Sequence, residues 1–289
     1  KNHILPDKVH ILNVSFLVPD MRREFGGCAG NIAYNLKLLG GDPLPMGTVG
    51  NDFKPYADWM DRHGIPRTCL KEIKSTYTAQ AFITTDQDDN QITAFHPGAM
   101  NHAHENNVQS ASGASIGMVS PDGRDGMLQH ATEFAESGIP FIFDPGQGLP
   151  MFSGDELMDF IDKASWVSVN DYEAQLIQER TGKSPHELAE HVDAFIITRG
   201  GEGSIIYDKQ KRHEIPAAKV SELNDPTGCG DAYRAGLLYG LMNDMDWETT
   251  GRIAAIMGAI KIEHHGTQNH QPTIEEISDR FMDSFGYRF

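Results

Sequence analysis

"NDPTGCGDAYRAG", Asn224 to Gly236, places an anion site beside an anion. Gly228-Cys229-Gly230 reads as a tight turn opening a helix. Such a turn aims backbone N–H groups outward, and the helix dipole adds positive potential there. The next residue, Asp231, is a carboxylate. Gly228, Ala232, Gly236 and Gly240 recur every four residues, forming one small-residue face that lets the helix press closely on its neighbours and keeps its N-terminus rigid. The plainer reading is a glycine entry followed by an acidic first turn that the dipole stabilises. Cys229 has no base in its vicinity to make it a nucleophile, so it reads as a small residue lending its N–H.

Outward from this stretch, "SIGMVS", "PFIFDP", "WVSVN" and "AFIIT" are short apolar runs, each ending in polar or turn residues. Helical patterns such as "GMLQHATEFAESG" and "DYEAQLIQERTG" separate them. Short buried strands alternating with helices predict a parallel sheet covered on both faces. "SIIYD" and "KRHEIP" add two strands before Gly228, and the C-terminal third is helical. Near the start, a glycine turn in "GGCAGN" leads into a helix from about Ala29 to Leu39, stopped by Gly40-Gly41. "DFKPYADWMDRHGI" predicts a second helix with Asp52 as N-cap. Val9 to Phe16 reads as a strand with apolar residues on both faces. Between Thr68 and Phe95 the texture turns β-rich, with "DQDDN" as a polar turn between two strands. The expectation is a large α/β domain, residues 26–67 and 98–289, with a small β lid from 8–25 and 68–97.

The 289 residues carry a net charge of -17, which argues against nucleic acid as a partner. No apolar run approaches the ~20 residues of a membrane span, and "KNHILPDKVH" has no signal-peptide core. Three scattered cysteines suggest a reducing, cytoplasmic setting without a disulfide framework. There is no P-loop and no GxGxxG after the first strand. "HELAEH" mimics a zinc motif, but His186 and His191 are five apart, which on a helix turns them to different faces.

Three weaker motifs each admit two readings. In "VNDYEAQ", Asn170 ends a strand and Glu173 stands in a helix's first turn; they could hold Mg²⁺ through water or form a common N-cap. In "TRGGEGS", the glycines could admit a nucleotide or make a plain turn. In "GGCAGN", Gly26 and Gly27 could admit a ligand to the backbone, with Asn31 supplying an amide.

Taken in order, "GGCAGN", "NDYE", "TRGGEG" and "DPTGCGDAYRAG" resemble the ribokinase-like (PfkB) family of carbohydrate and nucleoside kinases. The family pattern for the last usually reads D-T-T-G-A-G-D; Pro226 and Cys229 depart from it. The resemblance implies a three-layer α/β sandwich with a mostly parallel central sheet and a small β lid. It also implies roles. Gly228, Cys229 and Gly230 would form the anion hole and Asp231 the catalytic base. Asn170 and Glu173 would organise Mg²⁺, and Thr198, Gly200 and Gly203, with Asn170 and Gly228, would line the ATP site. Gly26, Gly27 and Asn31, with Asp231, would bind the acceptor. Asp225 and Thr227 lie where many members bind a stimulating monovalent cation, often K⁺. The acceptor hydroxyl would then sit between the anion hole and Asp231, which resolves the juxtaposition. An Asp of ordinary low pKa is expected to suffice. Members usually open with a strand carrying a substrate-binding Asp. Here that strand is expected to precede Lys1, since its loss would bare a sheet edge.

The acceptor is expected to be adenosine or a related nucleoside, phosphorylated at its 5′-hydroxyl. "QAFITTDQDDNQITAFHPGAM" resembles the bacterial adenosine and nucleoside kinase branch. Phe16, Phe25, Tyr77, Phe82 and Phe95 offer flat faces to a purine, or else pack the lid. Asp144 and Gln147 stand at a strand's end, an acceptor-side position. A sugar kinase of the ribose or fructose type is the alternative, and a non-catalytic binder the next. Monomer and homodimer are both compatible with an exposed lid sheet.

Overall fold

The computed structural model describes residues 18, 20–85, 91–209 and 211–289; the expected strand at Val9–Phe16 lies outside them. The elements follow in order as α1 (Cys28–Leu38), β1 (Gly47–Gly50), α2 (Lys54–Arg62), β2 (Leu70–Ile73), β3 (Gln80–Thr85) and β4 (Gln91–His96). Then come β5 (Gly117–Val119), α3 (Arg124–Glu136), β6 (Phe141–Phe143), α4 (Gly154–Lys163), β7 (Trp166–Asn170), α5 (Asp171–Thr181) and α6 (Pro185–Ala189). The chain ends with β8 (Ala194–Thr198), β9 (Ser204–Asp208), β10 (Arg212–Ile215), α7 (Cys229–Met242), α8 (Trp247–Ile262) and α9 (Ile274–Phe285).

A six-stranded sheet of order β10-β9-β8-β7-β6-β5 forms the centre. β5 to β8 run parallel, while β9 and β10 return antiparallel at one edge. Strand alternation decides the layers. Phe141, Phe143, Val167, Val169, Phe195 and Ile197 pack on one face against Phe134 of α3, Phe160 of α4 and Ile177 of α5. The intervening Ile142, Ala194 and Ile196 pack on the other face against α1 and α7. This is the expected three-layer sandwich. The small-residue face of α7 works as the sequence implies: a Cβ on Gly236 would stand 2.4 Å from Ala254 Cα, and one on Gly240 would stand 2.4 Å from Thr250 Oγ1, both on α8. Those glycines set how closely α7 and α8 approach.

Two local readings need correction. Asp52 is not the cap of α2; Phe53 holds that position. The Asp52 carboxylate instead accepts from the Thr78 N–H and hydroxyl, both at 2.8 Å, and from Gln80 Nε2 at 2.6 Å. It ties the α2 entrance to the start of β3. Second, β2, expected within the lid, pairs in parallel with β1 and, among the described residues, not with β3 or β4. At the start of α4, Ser153 and Glu156 close a full capping box.

β3 and β4 form the expected antiparallel hairpin. Phe82 pairs across from Ala94, and Phe95 from Ala81, so the two aromatics lie on opposite faces of the ribbon. Both are more than half exposed. Phe25 is not part of that ribbon; it stacks on Tyr56 of α2 at 4.6 Å between ring centres.

Candidate active site

The entry to α7 is a tight turn at Gly228. Gly228 takes φ 82°, a left-handed conformation open to glycine. The Asp225 carboxylate accepts from the Thr227 N–H and from the Gly266 N–H, each at 2.9 Å, which binds the loop before α7 to the loop after α8. Within the turn, the Cys229 N–H points back to Pro226 O at 3.1 Å. The N–H groups of Gly228 and Gly230 have no acceptor among the described residues. Of the three N–H groups expected to form the anion hole, these two are left unpaired by the described residues, while that of Cys229 is used within the turn. Burial pushes the Cys229 thiol up to about 11, which suits a thiol at rest and not a nucleophile.

Asp231 stands in the first turn of α7 and accepts from Asn31 Nδ2 at 2.7 Å. A chain of amides fixes which way Asn31 points. Trp59 Nε1 donates to Gln268 Oε1 at 2.9 Å, so Gln268 Nε2 must donate. It does so to Asn31 Oδ1 at 2.9 Å and to the Tyr56 hydroxyl at 2.6 Å. Asn31 Oδ1 is thereby an acceptor, and its Nδ2 is left for Asp231. The Tyr56 hydroxyl in turn donates to Gly26 O at 2.9 Å. This chain of bonds brings Gly26 and Asn31 to the same place as Asp231, with Gly27 between them in sequence. Gly27, at φ 85°, has nothing within 4 Å of where a Cβ would stand.

Asp231 does not keep the low pKa expected of it. Burial pushes it up to about 6, against the donation from Asn31 and the positive charge of Arg234. A base poised nearer neutrality accepts a proton more readily.

Arg234, one turn on, was given no role in the sequence reading. It is 7% exposed and paired with Asp144, itself 2% exposed. Arg234 Nη2 donates to Asp144 Oδ1 at 2.7 Å, and the Nε side of the guanidinium meets Oδ2. Asp144 therefore faces inward as a counter-ion and is not open to an acceptor; Gln147 beside it is exposed. A Cβ on Gly230 would lie 2.7 Å from Arg234 Nη1, so the guanidinium sits directly behind the anion-facing turn. Burial works against the Arg234 charge, but Asp144 above all, with smaller contributions from Asp231 and Glu173, holds its pKa above the ordinary arginine value. A lone arginine between Tyr233 and Ala235, in a helix apolar beyond Asp231, was the available signal.

On the other side, Asn170 and Thr198 are register partners at the C-terminal ends of β7 and β8. Asn170 Oδ1 accepts from the Glu173 N–H at 2.7 Å, and Glu173 Oε2 accepts from the Asn170 N–H at 2.8 Å. The cap reading is realised, and Asn170 Oδ1 and Glu173 Oε2 take part in it. Glu173 Oε1 has no such partner among the described residues. It fits a water-mediated contact to Mg²⁺, because hard cations take oxygen donors and keep water. Burial raises the Glu173 pKa. Gly200 and Gly203 follow β8 with φ 53° and 83°, and Gly203 lies against the backbone of Ile215 to Ala217, where any side chain would collide. His191 pairs with Asp162 at 2.7 Å and shares no site with His186.

The site thus gathers at the C-terminal ends of parallel strands and the start of α7, where open α/β sheets take ligands. The pfkB family carbohydrate kinase pattern matches residues 5–274. The chain is 33% identical over 270 residues to a nucleoside kinase of Methanocaldococcus jannaschii, covering 93% of this chain and 89% of that protein. Among solved structures, the Burkholderia thailandensis nucleoside kinase in complex with inosine superposes with a TM-score of 0.93 at 54% identity, covering 96% of this chain and 93% of that one. The same kinase in complex with ADP-inosine gives a TM-score of 0.90 at 55% identity, covering 99% and 90%. The chain belongs to the pfkB family of carbohydrate kinases and is a phosphotransferase with a hydroxyl group as acceptor.

Proposed function

We propose that this kinase transfers the γ-phosphoryl group of ATP to the 5′-hydroxyl of a purine nucleoside, adenosine or a related one such as inosine. The observation that carries the reading is Asp231, a desolvated carboxylate held by Asn31 and standing beside two N–H groups left unpaired by the described residues. An acceptor hydroxyl between them gives its proton to Asp231 as its oxygen attacks phosphorus. The Gly228 and Gly230 N–H groups and the α7 dipole stabilise the charge on the transferring group. Arg234 adds positive charge from behind the turn. Gly26, Gly27 and Asn31 orient the acceptor, and Asn170, Thr198, Gly200 and Gly203 line the nucleotide side. Mg²⁺, held through Glu173, would supply neutralising charge to the phosphates when bound. The β3–β4 hairpin is the lid over the acceptor in this reading.

The nucleoside assignment is supported by the relatives that are nucleoside kinases and by the inosine complexes of one of them. A sugar acceptor is the second reading, because Phe82 and Phe95 cannot both stack on one base from opposite faces of the ribbon. ATP-dependent ADP release with Mg²⁺, measured against adenosine, inosine, cytidine, ribose and fructose, separates the two. The expected outcome is turnover on purine nucleosides well above that on free sugars. Turnover confined to ribose or fructose overturns the acceptor and keeps the mechanism.

A further inference from the structure

Potassium, which the resemblance places at Asp225 and Thr227, does not fit the oxygens found there. Both Asp225 carboxylate oxygens already hold backbone N–H groups, from Thr227 and Gly266. The Asp225 carbonyl accepts from Lys261 Nζ at 2.7 Å and faces the Cys229 thiol at 3.8 Å. The same ammonium donates to His264 O at 3.0 Å. Lys261 is wholly buried at the end of α8, with no exposed surface at all. A monovalent cation entering here would meet an ammonium already in possession of the carbonyls, at a distance where like charges repel strongly.

We propose that Lys261 supplies, as part of the chain, the positive charge that a monovalent cation supplies at this loop in related kinases, and that this enzyme is indifferent to potassium. The ammonium bridges the loop that feeds α7 and the loop that leaves α8. Asn224 and Asp225 reinforce the same clasp, donating their N–H groups to Ile262 O at 2.9 and 3.1 Å. Together these contacts set where Gly228 and Gly230 point their N–H groups. Lys261 is therefore a positioning residue. It touches neither acceptor nor nucleotide, and acts through the Asp225–Gly230 turn. Its stem packs in the interior, and burial pulls its pKa below the ordinary lysine value while the Asp225 carboxylate opposes the fall.

This inference rests on the kinase reading for its rate arm only; a melting arm stands without it. Potassium chloride is exchanged for choline chloride at constant ionic strength, and kcat, the KM for ATP and the ligand-free melting temperature are measured. Wild-type kcat is expected to change by less than about twofold, with no cation-specific shift in melting temperature. The variant Lys261→Ala opens the ammonium's place. It is expected to lose about tenfold or more in kcat in choline, and to gain a potassium-dependent rise in both melting temperature and rate. A saturable, potassium-specific rise in wild-type rate or melting temperature overturns the proposal. So does a Lys261→Ala protein that keeps full kcat and melts at the wild-type temperature in choline. Should that variant fail to fold, the wild-type titration decides the matter alone.

Discussion

Asp231→Asn removes a charge that the fold holds against its own stability. Burial pushes the carboxyl up to about 6 in the folded chain, from an ordinary 3.8. A carboxyl raised on folding destabilises the native state wherever the unfolded chain is ionised more readily. The effect is absent below pH 3.8, grows through the interval and is complete above about 6. At 1.36 kcal/mol per pH unit, the interval amounts to about 3 kcal/mol as an upper bound. Asp231 retains some access to water, and Asn keeps an acceptor for Asn31 but adds donors that want partners. The net gain is expected at about 1–2 kcal/mol. Urea unfolding of ligand-free wild type and variant, near neutral pH and again near pH 5, reads it out. The variant should be the more stable protein near neutrality, and its advantage should shrink to about half near pH 5 as the wild-type carboxyl takes up its proton. A variant less stable than wild type at neutral pH, or a gap that does not shrink on acidification, would refute the reasoning.

Other outcomes follow from the same geometry. With Asp231 as base, kcat/KM should be level above neutrality and fall about tenfold per unit below its folded pKa, as a pH–rate profile over that range will show. Arg234→Met leaves Asp144 buried without its cation, and unfolding should register a loss of about 3–5 kcal/mol. Because Arg234 lowers the Asp231 pKa, the same variant should move the acid limb of the rate profile to higher pH, which loss of packing alone does not do. Gly230→Ala drives a methyl into Arg234 Nη1 from 2.7 Å, so kcat should drop by about 10²-fold, with the KM for the acceptor little changed.

Local patterns carried the architecture. "FIF", "WVSVN" and "AFIIT" are strands whose alternate residues divide between two helical layers, and a run of small residues every four positions shows where α7 meets α8. The site was legible where one motif holds its own parts together, as in Gly228 to Asp231 or Asn170 with Glu173. It was illegible where partners lie far apart in the chain. Arg234 needs Asp144, 90 residues away, before it reads as a buried ion pair. Gln268 reaches Asn31 across 237 residues, and nothing local marks it as the amide that orients another amide. The error over Asp144 has the same origin: a carboxylate at a strand's end looks available until a helix from the far side supplies its cation. The raised Asp231 pKa likewise comes from burial under distant elements. Lys261 reads in sequence as an ordinary basic residue closing a helix, and its meaning lies in two carbonyls on separate loops.

The central claim is that Asp231 removes the proton from an acceptor hydroxyl while leaving ligand binding to its neighbours. The most direct test is single-turnover phosphoryl transfer from Mg–ATP to inosine and adenosine by wild type and Asp231→Asn, with nucleoside affinity measured calorimetrically on both proteins. The prediction is a nucleoside 5′-monophosphate formed by the wild type, and a variant that binds nucleoside within about tenfold of wild type but transfers phosphate about 10²-fold or more slowly. A variant that transfers at close to the wild-type rate would contradict the account, whatever its acceptor proves to be.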